Sequence, residues 1–383
     1  MPQLGREARA TTPRKAFQNK RVKIGLALSG GPDSLALLTH SMLAGHKGLT
    51  DNDFVSLTVD HGLRDGSAAE AQRVAHSVEQ AWGIPAHVLT WQRPDGLALR
   101  GLQRTARWVR YRLLAQAATD LGLDQVWIAH SLDDQLETHQ MRLERGSSLY
   151  GLAGMSARFR LFGESFVRPA LATSGSDLHG VLDDQPIKAI QDPTNLRRDT
   201  WRGAARVRWG RGLAKAPHRQ TLVDTLAGLQ PWRQGLEHEA LQQPPSQQNE
   251  SVELGPDQCR DPFVLAYWLG QSVSLLRQCE HPPGFDDCLR LAKTLIEQSA
   301  KGASRHQHSL GGCEVRPSKS PDGTKLWELK LQEKPAHLDQ MQAKGYFWRK
   351  LFTAQRELGQ IDAFAWPPQP FAIAQPNFVT TLR

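Results

Sequence analysis

The chain has 383 residues, with 47 Lys and Arg against 39 Asp and Glu and a formal net charge of +8. That length accommodates two folded units, and the basic excess favours a polyanionic partner. Cys259, Cys279, Cys288 and Cys313 all fall in the second half without a C-x-x-C spacing, which argues against a zinc ribbon or dithiol centre. No apolar run approaches the roughly 20 residues of a membrane helix, and nothing before Val22 resembles a signal peptide. The expectation is a cytoplasmic protein with reduced thiols and no membrane segment.

Residues 1–21 carry Arg6, Arg9, Arg14, Lys15 and Lys20 with Glu7 the one acid, and read as a basic arm. From Val22 to about Ala129, short apolar runs alternate with helical periods: Val22 to Leu28, Phe54 to Val59, His87 to Leu89 and Val126 to Ala129 are strand candidates. Helices are expected from near Ser34, Ser67, Leu102 and Leu132. This rhythm predicts a doubly wound α/β domain, Rossmann-like, with a parallel sheet. Past Gly151 the pattern loosens, and Ser174 to Pro217 reads as a border zone. Helical periods return in Arg219 to Ala240, Pro262 to Arg277 and Phe285 to Gln298, with Gln242 to Glu250 as a loop. Two strand-like runs near Ser309 to Val315 and Leu326 to Leu331 follow. The expected division is a nucleotide domain over 22–215, a smaller, mainly helical domain over 216–332, and a tail over 333–383 of no assigned role.

The first strand ends in Ser29-Gly30-Gly31-Pro32-Asp33-Ser34 and then a helix. Strand, glycine turn and helix start bring backbone N–H groups and the positive end of the helix dipole together, which makes an anion site suited to phosphates. The two glycines permit positive φ and close approach, and the hydroxyls of Ser29 and Ser34 can donate to phosphate oxygens. Asp33 beside a phosphate makes sense if a Mg2+ ion lies between them. There is no Gly-Lys-Ser/Thr and no G-x-G-x-x-G. The loop resembles the PP-loop of the ATP pyrophosphatases, which cleave between the α- and β-phosphates and pass AMP to an acceptor oxygen. His61, in Val59-Asp60-His61-Gly62, ends the second strand, where an open parallel sheet exposes its ligand crevice. The side chain is placed to meet adenine or ribose, and the backbone near Val59 to read the base edge.

His130-Ser131-Leu132-Asp133-Asp134-Gln135-Leu136-Glu137 follows the fourth strand. Asp133 and Asp134 suit a helix N-terminus, but Glu137 adds a third carboxylate to a partly shared face. Like charges so packed call for a cation, either Mg2+ held by Asp133 and Asp33 or a substrate ammonium group. From Arg197 to Arg219 the chain carries Arg197, Arg198, Arg202, Arg206, Arg208, Arg211, Lys215 and Arg219, with Asp199 the one acid and Trp201 and Trp209 interleaved. Guanidinium groups grip phosphate and indole faces stack on unpaired bases, so this stretch is a candidate surface for a single-stranded RNA loop.

Ala106-Arg107-Trp108-Val109-Arg110-Tyr111, the run from His130 through Arg145-Gly146-Ser147 to Gly151-Leu152-Ala153-Gly154-Met155, and Asp192-Pro193-Thr194-Asn195 together resemble the bacterial tRNA(Ile)-lysidine synthetases. With the PP-loop, the resemblance covers most of Val22 to Arg208. It implies that ATP adenylates the C2 oxygen of the wobble cytidine in an isoleucine tRNA with a CAU anticodon, and that the ε-amine of free L-lysine then displaces AMP. It further implies that Asp134 and Glu137 hold the lysine, and that Arg110, His130 and Arg202 stabilise developing charge. A homodimer is compatible with the resemblance. The sequence departs from the family pattern at Gly203, where an Asn is expected, and at Tyr150, where an Arg is expected. The competing readings are a PP-loop tRNA thiolase, which needs cysteines near the loop, and a non-catalytic RNA-binding module.

Overall fold

The computed structural model describes residues 22–43, 50, 53–92, 102–183, 185, 187, 189, 201–248, 251–277, 282–301 and 306–332, without the side chains of 102–104, 201, 202, 205, 212, 247 and 248. The basic arm, the Asp192 to Asn195 run, Arg197, Arg198 and the tail from 333 lie outside the described residues. The first unit alternates β1 (Ile24–Leu28), α1 (Pro32–Leu43), β2 (Phe54–Asp60), α2 (Ser67–Trp82), β3 (Ala86–Thr90), α3 (Leu102–Leu121), β4 (Gln125–Ile128) and α4 (Leu132–Glu144). Pro32 opens α1, where its fixed φ suits the first turn and its missing N–H is not needed. Ser131 and Asp134 form a capping box at the start of α4, with the Ser131 backbone N–H donating to Asp134 Oδ2 at 3.1 Å.

The six-stranded sheet runs in the order β3-β2-β1-β4 and is completed by β6 (Glu164–Val167) and the edge strand β5 (Arg158–Leu161). β1 pairs in parallel with both β2 and β4, and β4 in parallel with β6, so only the β5–β6 hairpin is antiparallel. The chain builds outward from β1 to β3 on one side and then crosses to β4 on the other. The loops after β1 and β4 therefore diverge at the switch point, where open sheets of this kind form a ligand crevice. Leu26, Leu35, Leu38 and Phe54 on one face, and Leu57, Leu114 and Phe166 on the other, anchor the two core layers. The hairpin is absent from the sequence reading. Its strands have four residues each, one alternates Arg with apolar residues, and its turn is Phe162-Gly163, with φ of 54° and 82°.

After two short helices, α5 (Leu149–Leu152) and α6 (Gly175–His179), the border zone holds α7 (Trp201–Trp209) and a 3-10 turn over Arg211–Leu213. α8 (Arg219–Gln242) then spans both units. Leu222 and Leu226 pack on Leu136 of α4, whereas Leu236 and Ala240 pack with Val264 of α9 (Pro262–Arg277). The second unit sets its helices against a sheet larger than the two strand-like runs expected there. α9 and α10 (Phe285–Ala300) cover a five-stranded antiparallel sheet formed by β7 (Ser246–Gln248), β8 (Ser251–Leu254), β9 (His308–Leu310), β10 (Cys313–Lys319) and β11 (Lys325–Leu331), in the order β7-β8-β11-β10-β9. The polar edge strand β7 lies inside the segment expected to be a loop, because Ser-Gln-Gln carries no apolar alternation to betray it.

Tyr150 ties the units together. Its hydroxyl donates to Glu237 Oε1 at 2.7 Å, its ring stacks on Phe285 of α10 at 4.4 Å, and the Arg233 guanidinium lies 4.4 Å above it. Burial, with Glu237 adding to it and Arg233 opposing, keeps this phenol far above its ordinary pKa. The residue departing from the family pattern is thus an anchor of the packing.

Candidate functional site

The turn after β1 is built around two hydroxyls. Ser34 Oγ accepts from the Ser29 backbone N–H at 3.2 Å and donates to the Gly31 carbonyl at 2.9 Å, and the Gly31 N–H donates to Ser29 Oγ at 3.4 Å. Gly30 holds φ at 75°, a left-handed conformation that strains any residue with a Cβ. Ser34 is buried and Ser29 exposed, and both hydroxyls brace the loop. The carboxylate of Asp33 accepts from His179 Nε2 at 2.7 Å through one oxygen and from Arg211 through the other. Burial alone would raise the Asp33 pKa; the His179 bond and the Arg211 charge outweigh it and hold the carboxyl below its ordinary value.

Across the switch point the three acids of α4 are also engaged. Glu137, whose side chain is 1% exposed, takes a two-pronged bond from Arg206, Nε to Oε1 at 2.7 Å and Nη2 to Oε2 at 3.0 Å. The same guanidinium reaches Asp134 Oδ1 at 3.5 Å. Asp133 accepts from Arg219 at 3.1 Å and from the backbone N–H of Gly175 at 3.2 Å. A Cβ at Gly175 would stand 2.5 Å from that carboxylate, so glycine permits the contact. The clustered carboxylates do require cations, as their sequence spacing implied. In this arrangement the cations are the chain's own arginines, drawn from the stretch expected to grip RNA. Desolvation opposes the charge of Arg206, but Glu137, Asp134 and Asp33 together raise its pKa.

Asp33 and Asp133, the carboxylates expected to hold magnesium, stand near the starts of α1 and α4, the two helices that follow β1 and β4. Each of their four oxygens accepts one protein donor here, and the described residues contain no group of three or more His, Cys, Asp or Glu able to hold a metal; two carboxylates completed by nucleotide phosphates and water are the usual magnesium site, and each oxygen keeps a second lone pair. Of the other expected RNA contacts, Arg208 is exposed beside Trp209, its guanidinium 4.8 Å from the ring centroid. Trp209 is half-buried against the cluster that contains Leu136 and Leu213. Arg197 and Arg198 lie outside the described residues, as do the side chains of Trp201 and Arg202 on α7. Val59 lies half-buried on β2 against the Leu57 and Leu114 layer. His179, Arg211, Arg219, Arg168 and Gly175 belong to the site without having been singled out. Arg211 and Arg219 did stand in the basic run, but nothing in the sequence around His179 or Gly175 marks them.

His61 Nε2 lies 3.4 Å from Nε and 3.3 Å from Nη2 of Arg110. Its Nδ1 is buried with no hydrogen-bond partner among the described residues, an orphan polar atom at the end of β2. Burial, and next the Arg110 charge, push the His61 pKa down from 6.5 to about 4, with Asp60 pulling the other way. The unfolded chain therefore binds a proton at this residue near pH 6.5 and the folded chain only near 4. Its stabilising contribution is complete above that window and fades as pH falls through it. Between these limits the wild-type melting temperature is expected to drop more steeply than that of His61→Gln. Parallel curves in fluorimetry would remove the effect.

A protein-family model described as a PP-loop domain matches residues 6–210, more than half of the chain. A tRNA(Ile)-lysidine synthase of Novosphingobium aromaticivorans is 42% identical over 176 residues, covering 45% of this chain and 51% of that protein. One from Rhodopseudomonas palustris is 40% identical over 193 residues, covering 49% and 54%. One from Brucella anthropi is 38% identical over 211 residues, covering 52% and 44%. The chain spans about half the length of the curated relatives it matches.

Proposed function

The chain belongs to the PP-loop domain family, and from that premise we propose that it uses ATP to attach lysine to a base of an isoleucine tRNA, making lysidine. In this reading the C2 oxygen of the wobble cytidine attacks the α-phosphorus, the bond to the β-phosphate breaks, and pyrophosphate leaves into the loop of residues 29–34. The ε-amine of lysine then forms the C2–N bond, the C2–O bond breaks, and AMP departs with the oxygen. A poor leaving group is thereby exchanged for a good one before the amine arrives.

The observation that carries this reading is the placement of the phosphate turn after β1 and the acids of α4 after β4 at one switch point. Both are engaged by the same segment, through Arg211 on Asp33 and Arg206 on Glu137 and Asp134. An incoming ammonium group would exchange with Arg206 at Asp134 and Glu137, and an arginine so released is suited to phosphate. Magnesium accompanies the nucleotide in this reading, and Asp33 and Asp133 would receive it as Arg211 and Arg219 turn from them to phosphate. The thiolase alternative finds little support. Cys259, Cys288 and Cys313 all lie in the second unit, and burial raises Cys259 to about 11 and Cys288 to about 12.

The test is a two-part assay on the full chain. Pyrophosphate release from ATP is expected only with an isoleucine tRNA bearing a CAU anticodon, accompanied by incorporation of labelled lysine. Turnover indifferent to RNA, or incorporation of sulfur, would defeat the proposal.

A further inference from the structure

Arg168 follows β6, one residue beyond the Trp127–Val167 register pair, and that pairing sets it beside the chain leaving β4 at His130. Its Nε–H donates to His130 Nδ1 at 3.0 Å. A guanidinium has donors and no acceptor, and an imidazolium carries N–H on both nitrogens. Only one state of His130 completes this bond: the neutral ring with its proton on Nε2.

The arginine is built in. The residue is 8% exposed, its Nη1 donates to the Ser156 carbonyl at 2.6 Å, its backbone N–H donates to the Ala157 carbonyl at 2.7 Å, and its guanidinium lies 4.1 Å from the centre of the Phe159 ring. The Ser156 and Phe159 contacts hold the fork and the Ala157 bond holds its backbone, so the guanidinium cannot turn away without breaking the Ser156 hydrogen bond. The Arg110 contact to His61 is longer, and Arg110 is exposed.

We propose that Arg168 is a positioning residue that fixes His130 as the Nε2–H tautomer, so that His130 serves the adenylation step as a hydrogen-bond donor and not as the base for the amine. This rests on the function proposed above, in which charge develops on phosphate and base oxygens beside His130. A donor of fixed tautomer stabilises such charge without reorganising. It also leaves deprotonation of lysine to another group, for which carboxylates are the candidates.

The test joins spectroscopy to kinetics on the full chain. With 15N-labelled histidine at about pH 7, near the ordinary histidine range, the His130 ring, assigned through His130→Gln, is expected to show a protonated Nε2 and an unprotonated, hydrogen-bonded Nδ1. Arg168→Met should turn this into an averaged mixture, and Arg168→Lys, which keeps a donor, should restore much of it. RNA-dependent pyrophosphate release should fall about 10²-fold in Arg168→Met, and no further in the double variant with His130→Gln. A wild-type ring protonated on Nδ1, or additive losses in the double variant, would overturn the proposal. If Arg168→Met does not fold, the wild-type spectrum decides alone. Failure to incorporate lysine sinks the function reading while leaving the tautomer result intact.

Discussion

Glu137→Gln is expected to lower the melting temperature by about 4 °C and to raise sharply the lysine concentration needed for half-maximal incorporation, with RNA-dependent pyrophosphate release nearly unchanged. The stability loss follows from burial. Glu137 is almost wholly enclosed and receives both prongs of Arg206. Removing one partner of a buried pair strands the other charge and costs about 3 kcal/mol, which for a chain of this size is a shift of several degrees. Glutamine is a poor substitute because its amide NH2 would face the guanidinium donors. The functional effect has a separate origin: the amine loses one of the two carboxylates proposed to receive it. Adding Arg206→Met should recover much of the melting temperature, since deleting both partners of a buried pair is far less harmful than deleting one, but should not restore lysine use. Fluorimetry and a lysine titration check the two halves independently. Equal loss of adenylation and incorporation in Glu137→Gln would remove this residue from amine binding.

Gly30→Ala should have the opposite signature, with little change in melting and about a 10²-fold loss of pyrophosphate release. At φ of 75° an added Cβ costs about 1 kcal/mol, modest against the stability of the whole chain. The loop relieves that strain by moving, and it is the position of its N–H groups that serves the reaction. Displacing an anion cradle by about 1 Å is enough to lose two orders of magnitude. The check is a rate measurement at saturating tRNA alongside a melting curve. A variant with wild-type turnover would show that the conformation of Gly30 does not matter to the leaving phosphate.

The two variants divide the site along the line that separates what was legible in the sequence from what was not. Gly30, Asp33 and Ser34 announce an anion loop because strand, glycine turn and helix are adjacent in the chain. Asp133, Asp134 and Glu137 announce a cation-seeking face because helical spacing sets them together. The identity of the cation was not legible. The sequence reading offered magnesium or a substrate ammonium, and the structure supplies Arg206, Arg211 and Arg219. The same basic run read as an RNA surface because arginine composition is alike whether the partner is a phosphate or a carboxylate. Trp209 shows the same limit: its sequence context does not tell that one part of the indole packs against the Leu136 and Leu213 cluster while the ring also carries the Arg208 guanidinium.

What the amino-acid order determined by itself was everything carried by near neighbours: the parallel α/β rhythm, the phosphate turn, the capped acidic helix and the excess of positive charge. These are short-range properties, fixed by periodicity, backbone freedom and the spacing of side chains on one element. What only the tertiary structure decided was the pairing of groups far apart in the chain: Asp33 with Arg211 across 178 residues, Glu137 with Arg206 across 69, His130 with Arg168 across 38, and the short strands that complete both sheets. Such pairings leave no local trace. They depend on sheet order and crossover, which bring the ends of β1, β4 and β6 together, and a buried charge takes whichever partner that packing sets within reach.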